Sequence, residues 1–227
     1  MTDARAGEGD LPGLSRYGAR MTDLDAQVRA ADPDRWLSSR FVADGQARAD
    51  LITLYAFEAE LASIPAKVSQ PLLAEMRLTW WADQMKGVFG GAPRKGHPVL
   101  EALADVVERR GLERPWADAL IEAHVDRAHR RPHDLEALFV GPVQAAARVL
   151  TGSGHGAAVA AAARVRGLTL TGRAAEAAAL RPAANRALAA LPPAGFPAVA
   201  HAALRDPDAP EAVKRLRLVW AVARGRI

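Results

Sequence analysis

"DLITLYAFEAELASIPAKVSQPLLAEMRLTWWADQMKGVF", residues 50–89, reads as two helices separated by a proline-marked turn. Leu51, Leu54, Phe57, Leu61 and Ile64 recur at steps of three and four, the spacing that lays apolar side chains along one helix face. The pattern predicts a helix over 45–64. Pro65 is expected to end it, because a proline inside a helix removes a hydrogen bond and clashes with the preceding turn. Pro71 then falls in the first turn of a second helix, over 71–89, where proline is tolerated.

Outward from this pair, the same period predicts helices over 22–31, 98–110, 115–130, 134–151, 155–180, 183–191, 196–204 and 209–224. "GGAPRKGHP" (90–98) is a loop, and no convincing strand alternation is found. Composition agrees: half the residues are apolar, only 5% are aromatic, and alanine fills long stretches. Alanine has the best helix propensity, whereas strands favour β-branched and aromatic residues. The 227 residues suit one domain. The expectation is an all-α, single-domain multi-helix bundle over 21–227, preceded by a flexible Gly-, Asp- and Arg-rich leader over 1–20.

Several function classes drop out. With no cysteine, disulfides, thiolate metal sites and a cysteine nucleophile are excluded. No apolar run reaches the roughly 18 residues of a membrane-spanning helix. The first residues lack the basic and apolar regions of a secretory signal, so a cytoplasmic location is the default expectation. The net charge of +4 concentrates towards the C-terminus, which suits an anionic membrane surface or an acidic partner. No basic-aromatic alternation supports nucleic acid.

At about 100° per residue, Tyr55, Glu58, Ala62 and Ala66 fall along one side of their helix. Glu58 then sits among Leu51, Leu54 and Leu61, where a carboxylate must find a cation or donor or else stay protonated. On the next helix Arg77 lies between the Trp80 and Trp81 directions, with Gln84 one heptad below. Glu58 and Arg77 are therefore expected to meet in the interior, with Tyr55, Trp81 and Gln84 around them, as a structural ion pair or as the polar floor of a cavity. His124, Asp126, His129 and His133 resemble a metal cluster only on paper, since His124 and His129 diverge by about 140° on a helix. Ser153 and His155 in "TGSGHG" have no acid partner, and the Lys and Ser/Thr of a phosphate loop are missing.

Near the C-terminus Leu216, Val219, Trp220 and Ala223 share an arc of about 120°. Lys214, Arg215, Arg217 and Arg224 lie off it, and no acid follows Glu211. Two readings stay open: a helix that closes the bundle, and an interfacial helix whose cations Lys214, Arg215, Arg217 and Arg224, with Trp220, meet anionic lipid.

Together "DRWL" (34–37), "LYAFEAELA" (54–62), "VSQPLLAEMRLTWW" (68–81) and "HPV" (97–99) resemble, in order and spacing, the squalene/phytoene synthase family. "RVRGLTL" (164–170) looks like that family's late Gly-Leu helix. "AVKRLRLVWAVARGRI" (212–227) resembles the basic, tryptophan-containing end of one bacterial and mitochondrial branch. The resemblance implies an isoprenoid-synthase helical fold. In the family's enzymes two facing aspartate-rich motifs hold magnesium ions that bind two prenyl diphosphates. Here the first motif falls near Ala62, Ser63 and Ala66, which cannot ligate magnesium well. The second should follow Gly167, where only Glu176 is acidic; from Gly141 to Arg205 no other carboxylate occurs. Glu58 and Glu60 could supply one cluster at most.

The resemblance thus implies a pseudoenzyme without metal or cofactor, nearest in appearance to the branch of respiratory complex I assembly factors. The expected partners are an apolar lipid or isoprenoid in an alanine-lined cavity and a protein in complex assembly, with peripheral contact to the inner membrane. The alternative is an active prenyl transferase that joins two prenyl diphosphates with magnesium.

Overall fold

The computed structural model describes residues 12–153 and 155–227; residues 1–11 of the expected leader lie outside it. Ten α-helices make up the described chain, and none of the described residues forms a strand. Helix α1 (Pro12–Ala31) begins well before the expected residue 22. Short α2 (Pro33–Ser39) follows, its N-terminus capped by the Asp32 carboxylate, which accepts from the Arg35 amide at 3.0 Å. Then come α3 (Gly45–Lys67), α4 (Pro71–Phe89), α5 (Pro98–Arg110) and α6 (Pro115–Ala128). The last three each open on a proline, whose missing N–H costs nothing in a first turn. Gly111 ends α5 in the left-handed region, at φ 58°.

Further boundaries differ from expectation. Pro65 does not end α3: the Val68 amide still donates to the Ile64 carbonyl at 3.0 Å, closing one more turn. The stretch 134–151 divides into a π-helical turn (Glu136–Val140) and α7 (Gly141–Thr151). The single helix expected over 155–180 is a hairpin, α8 (Gly156–Leu170) and α9 (Ala174–Ala187), turning at Gly172 with φ 78°. An alanine run hides such a break, because it favours helix without marking a face. Three 3-10 turns (Leu188–Ala190, Pro193–Ala198, Ala200–Ala203) lead to α10 (Glu211–Arg224).

Helix α3 is the axis of the bundle. Leu51, Leu54, Phe57, Leu61 and Ile64 are all buried, as their spacing predicts, against α1, α5, α6 and α7. Phe57 meets the edges of Trp81 and Trp116, with ring centres 5.6 and 5.8 Å away. On α8, Gly167 lets the π-turn come close: a Cβ there would lie 2.6 Å from the Phe139 ring. Phe139 is thereby held as part of the wall of a cleft beside α3.

Candidate functional site

That cleft has a volume of about 710 Å³ and lies between α1, α3, α6, the π-turn and the end of α8. Its size is within the usual range of ligand pockets. Tyr55, Glu58, Ala62 and Ala66 line it in a row along α3, as the helical wheel predicts. The row extends about 16 Å at 1.5 Å per residue. Leu120, His124 and Arg127 of α6 face it, and Leu138, Phe139 and Leu170 complete the apolar wall.

Glu58 is buried, as expected, but its partner is Arg35 of α2 and not Arg77. The Arg35 guanidinium donates to Glu58 Oε2 and lies 5.1 Å from the centre of the Tyr55 ring. Burial pushes the Glu58 carboxyl up, against the opposing pull of Arg35. Burial disfavours the Arg35 charge, but Glu58 and Asp32 outweigh it and hold the guanidinium firmly protonated. The Tyr55 hydroxyl is raised, chiefly by burial. Two buried atoms of this floor have no hydrogen-bond partner: the Tyr55 hydroxyl and Glu58 Oε1.

Arg77 is exposed. The buried stripe of α4 runs through Ala74, Leu78, Trp81, Met85 and Val88, about 60° from Arg77. Trp80, only partly buried, had drawn the wheel towards itself. Trp81 is buried against Phe57, Trp80 and His97 instead of lining the cleft, and half-buried Gln84 does not reach it either. The expected cluster divides: His124 and His133 both line the cleft, whereas His129 bonds to Glu75 at 2.7 Å and Asp126 to Arg131 at 2.6 Å.

The family implies magnesium, which demands several oxygen ligands in near-octahedral order. The cleft carboxylates are Asp32, Glu58 and Glu60. Asp32 caps α2, Glu58 holds Arg35, and Glu60 accepts from Gln27 at 2.6 Å. Ser63 turns its hydroxyl to the Glu60 carbonyl at 2.9 Å. Glu176 is exposed and pairs with Arg173 at 2.6 Å. Among the described residues no three His, Cys, Asp or Glu gather in a group able to hold a metal ion. These residues do not fit a magnesium-diphosphate cluster.

Beside the cleft lies a buried network that sequence reasoning missed. Asp34 receives Arg166 of α8 at 2.6 Å and forms a 2.8 Å ion pair with Lys214 of α10, whose geometry falls short of an aligned hydrogen bond. Lys214 is therefore not a surface cation, contrary to expectation; only 8% of it is exposed. The reason is the seating of α10. Its buried stripe is Lys214, Leu218 and Ala221, on the side opposite the apolar arc. Val213, Leu216, Val219, Trp220 and Ala223 face outward, with Leu216 72% and Trp220 56% exposed. Arg215, Arg217 and Arg224 are exposed beside them, and Arg224 lies over the Trp220 ring, 4.2 Å from its centre.

The squalene/phytoene synthase family model matches residues 28–140, which hold α2 to α6 and the cleft wall. Over that stretch the chain belongs to the squalene/phytoene synthase family. Within it, the bovine (Bos taurus) protein described as NADH dehydrogenase (ubiquinone) complex I, assembly factor 6, is similar: 27% identical over 113 residues, 48% of this chain and 33% of that protein. The chain thus spans about a third of the length of the curated relative it matches. No solved structure matches. The squalene/phytoene synthase match stops at residue 140, before the acid-poor half in which a second metal motif would have to lie.

Proposed function

We propose that this member of the family acts by binding and no longer transfers prenyl groups. One observation carries the reading: every carboxylate of the cleft is already committed to a protein partner, and small side chains stand at Ala62 and Ala66. Ionising an allylic diphosphate requires concentrated positive charge, which magnesium supplies through hard oxygen ligands. Incubation with farnesyl or geranylgeranyl diphosphate and magnesium is expected to release no diphosphate above a no-enzyme control. Turnover would return the chain to the active prenyl transferases.

The likeness to the complex I assembly factor supports a role in assembly of that complex, with a protein partner. Loss of complex I content in a deletion strain, restored by the wild-type chain, is the result that reading requires.

The outward arc of α10 supports peripheral membrane contact. No helix among the described residues is long and apolar enough to cross a membrane, so contact through α10 would be interfacial. Because Lys214 belongs to the core, deleting α10 would also break the fold, and exposed positions make the cleaner test. Trp220→Ser with Leu216→Ser is expected to reduce co-sedimentation with anionic liposomes several-fold while the melting temperature stays within about 2 °C, since surface changes usually shift stability by under about 0.5 kcal/mol. Unchanged sedimentation would remove the membrane role of α10.

A further inference from the structure

At one end of the cleft the cations have no paired carboxylate among the described residues. Helix α6 begins beside Phe57, through Trp116, and ends beside the first turns of α4, through His129 and Glu75. Helix α4 starts just after α3 ends, so α6 runs along the second half of α3 in the same direction. Arg127 therefore lies towards the Lys67 end of the cleft, with Arg35, Glu58 and Tyr55 towards the other. Both Arg127 and Lys67 line the cleft, as does exposed His133.

Arg127 is half-buried, and burial lowers the pKa of its guanidinium. Among the described residues it has no carboxylate partner. Its polar contact is with His124 Nδ1, at 3.3 Å. A guanidinium has only donors, so His124 Nδ1 accepts and Nε2 carries the ring proton, which adds a further donor. Lys67 is exposed and forms no ion pair among the described residues. A desolvated cation without a counter-charge is costly, and an arriving anion would offset that cost.

Between the two ends the apolar lining is Ala59, Ala62, Leu120, Leu138 and Phe139; Glu60 and Ser63 line it too, Glu60 held by Gln27 and the Ser63 hydroxyl turned to the Glu60 carbonyl. Leu170 lines the cleft while 44% exposed, and Leu72, Leu73 and Met76 are exposed in the first turns of α4. At the inner floor the Tyr55 hydroxyl and Glu58 Oε1, buried and unpartnered, are further polar atoms available to a guest. Cations at one end of an apolar slot fit an elongated guest with a charged head.

We propose that the cleft holds a single-chain amphiphile whose anionic head, a carboxylate or a phosphate, rests directly on Arg127 and Lys67 without a metal ion. This deepens the binding reading and rests on it.

The test titrates the full chain, in EDTA, with decanoate, decyl phosphate and decanol below their aggregation concentrations, followed by calorimetry. At least one acid is expected to bind about tenfold or more tightly than decanol. Arg127→Gln should remove about that factor for the acid and leave decanol unchanged. The tighter acid tells the two head groups apart. Ala62→Phe, which fills the slot, should weaken all three. Should the Arg127 variant melt abnormally, Lys67→Gln decides, since that side chain is exposed.

Equal binding of acid and alcohol, or acid binding unaffected by Arg127→Gln and Lys67→Gln, would overturn the inference, as would full binding to the Ala62→Phe protein. Binding of none of the three would overturn it too, while the diphosphate-release result stands by itself. Acid binding only after magnesium is added would overturn both the inference and the loss of metal chemistry.

Discussion

Asp34→Ala is expected to lower the unfolding free energy by about 3–5 kcal/mol, the usual cost of removing one partner from a buried ion pair. For a chain of this size that corresponds to a fall in melting temperature of roughly 10 °C. Asp34 is 4% exposed and is the counter-charge for both Arg166 and Lys214, which are buried as well. Its loss would leave two cations in the interior, with Arg166 Nη1 already lacking a partner. The three residues come from α2, α8 and α10, so the same change loosens the N-terminal, middle and C-terminal parts of the bundle.

Lys214→Met should cost less, because it removes a cation, keeps the Asp34–Arg166 contact and replaces a long stem with an apolar one of similar reach. Urea unfolding of the two variants gives the comparison. If Asp34→Ala lost under about 1 kcal/mol, or less than Lys214→Met, the network would have to be open to water.

The Asp34 network also shows where sequence reasoning stops. The stripe of α3 was legible because five large apolar residues repeat at helical spacing and nothing polar interrupts them except Glu58. The same wheel placed Glu58 inside and aligned it with Ala62 and Ala66 along what proves to be the cleft. A wheel orders the residues of one helix, however, and says nothing of which neighbour faces them. Arg35 and Arg77 were equally available to Glu58. The choice depended on the seating of α2 against α3, fixed by contacts far apart in sequence, such as Ser38 Oγ to the Pro197 carbonyl at 2.6 Å.

Helix α10 failed for a related reason. Its wide apolar arc was the natural candidate for the core, yet the buried side is narrow and contains a lysine. The distant Asp34 supplies the counter-charge, and the Pro207 carbonyl accepts from the ammonium, which together make that burial tolerable. The cationic end of the cleft was equally hidden, because the significance of Arg127 is that no carboxylate among the described residues pairs with it, and that cannot be read from spacing along a chain.

A second large effect should appear on acidification. His124 and His201 are both buried, 3% and 1% exposed. Burial, aided by Arg127, lowers the His124 pKa to about 3. His201 is depressed well below its ordinary value, chiefly by burial and then by Arg35 and Arg166. In the unfolded chain both return to about 6.5. Between that value and the folded one, the unfolded state binds protons that the native state refuses. The contribution of these histidines is therefore complete above about pH 6.5 and lost as pH falls through the window.

At about 1.4 kcal/mol per pH unit, His124 alone should cost roughly 2 kcal/mol by pH 5, and His201 adds to the decline in the same direction. Glu58 opposes this: burial raises its carboxyl, so once pH falls below the native value the folded state takes up the proton first, and it gains stability until the lower value of the unfolded chain is passed. The net decline should thus be steepest between about pH 6.5 and 5, before the carboxylates titrate. Urea midpoints measured from pH 8 to 5 would show it. His201→Gln and His124→Gln, neutral at every pH, should each remove part of the slope, and their effects should add if the two sites are independent. A midpoint that stays level from pH 7 to 5, or a slope untouched by both substitutions, would mean that these imidazoles take up protons within the folded bundle.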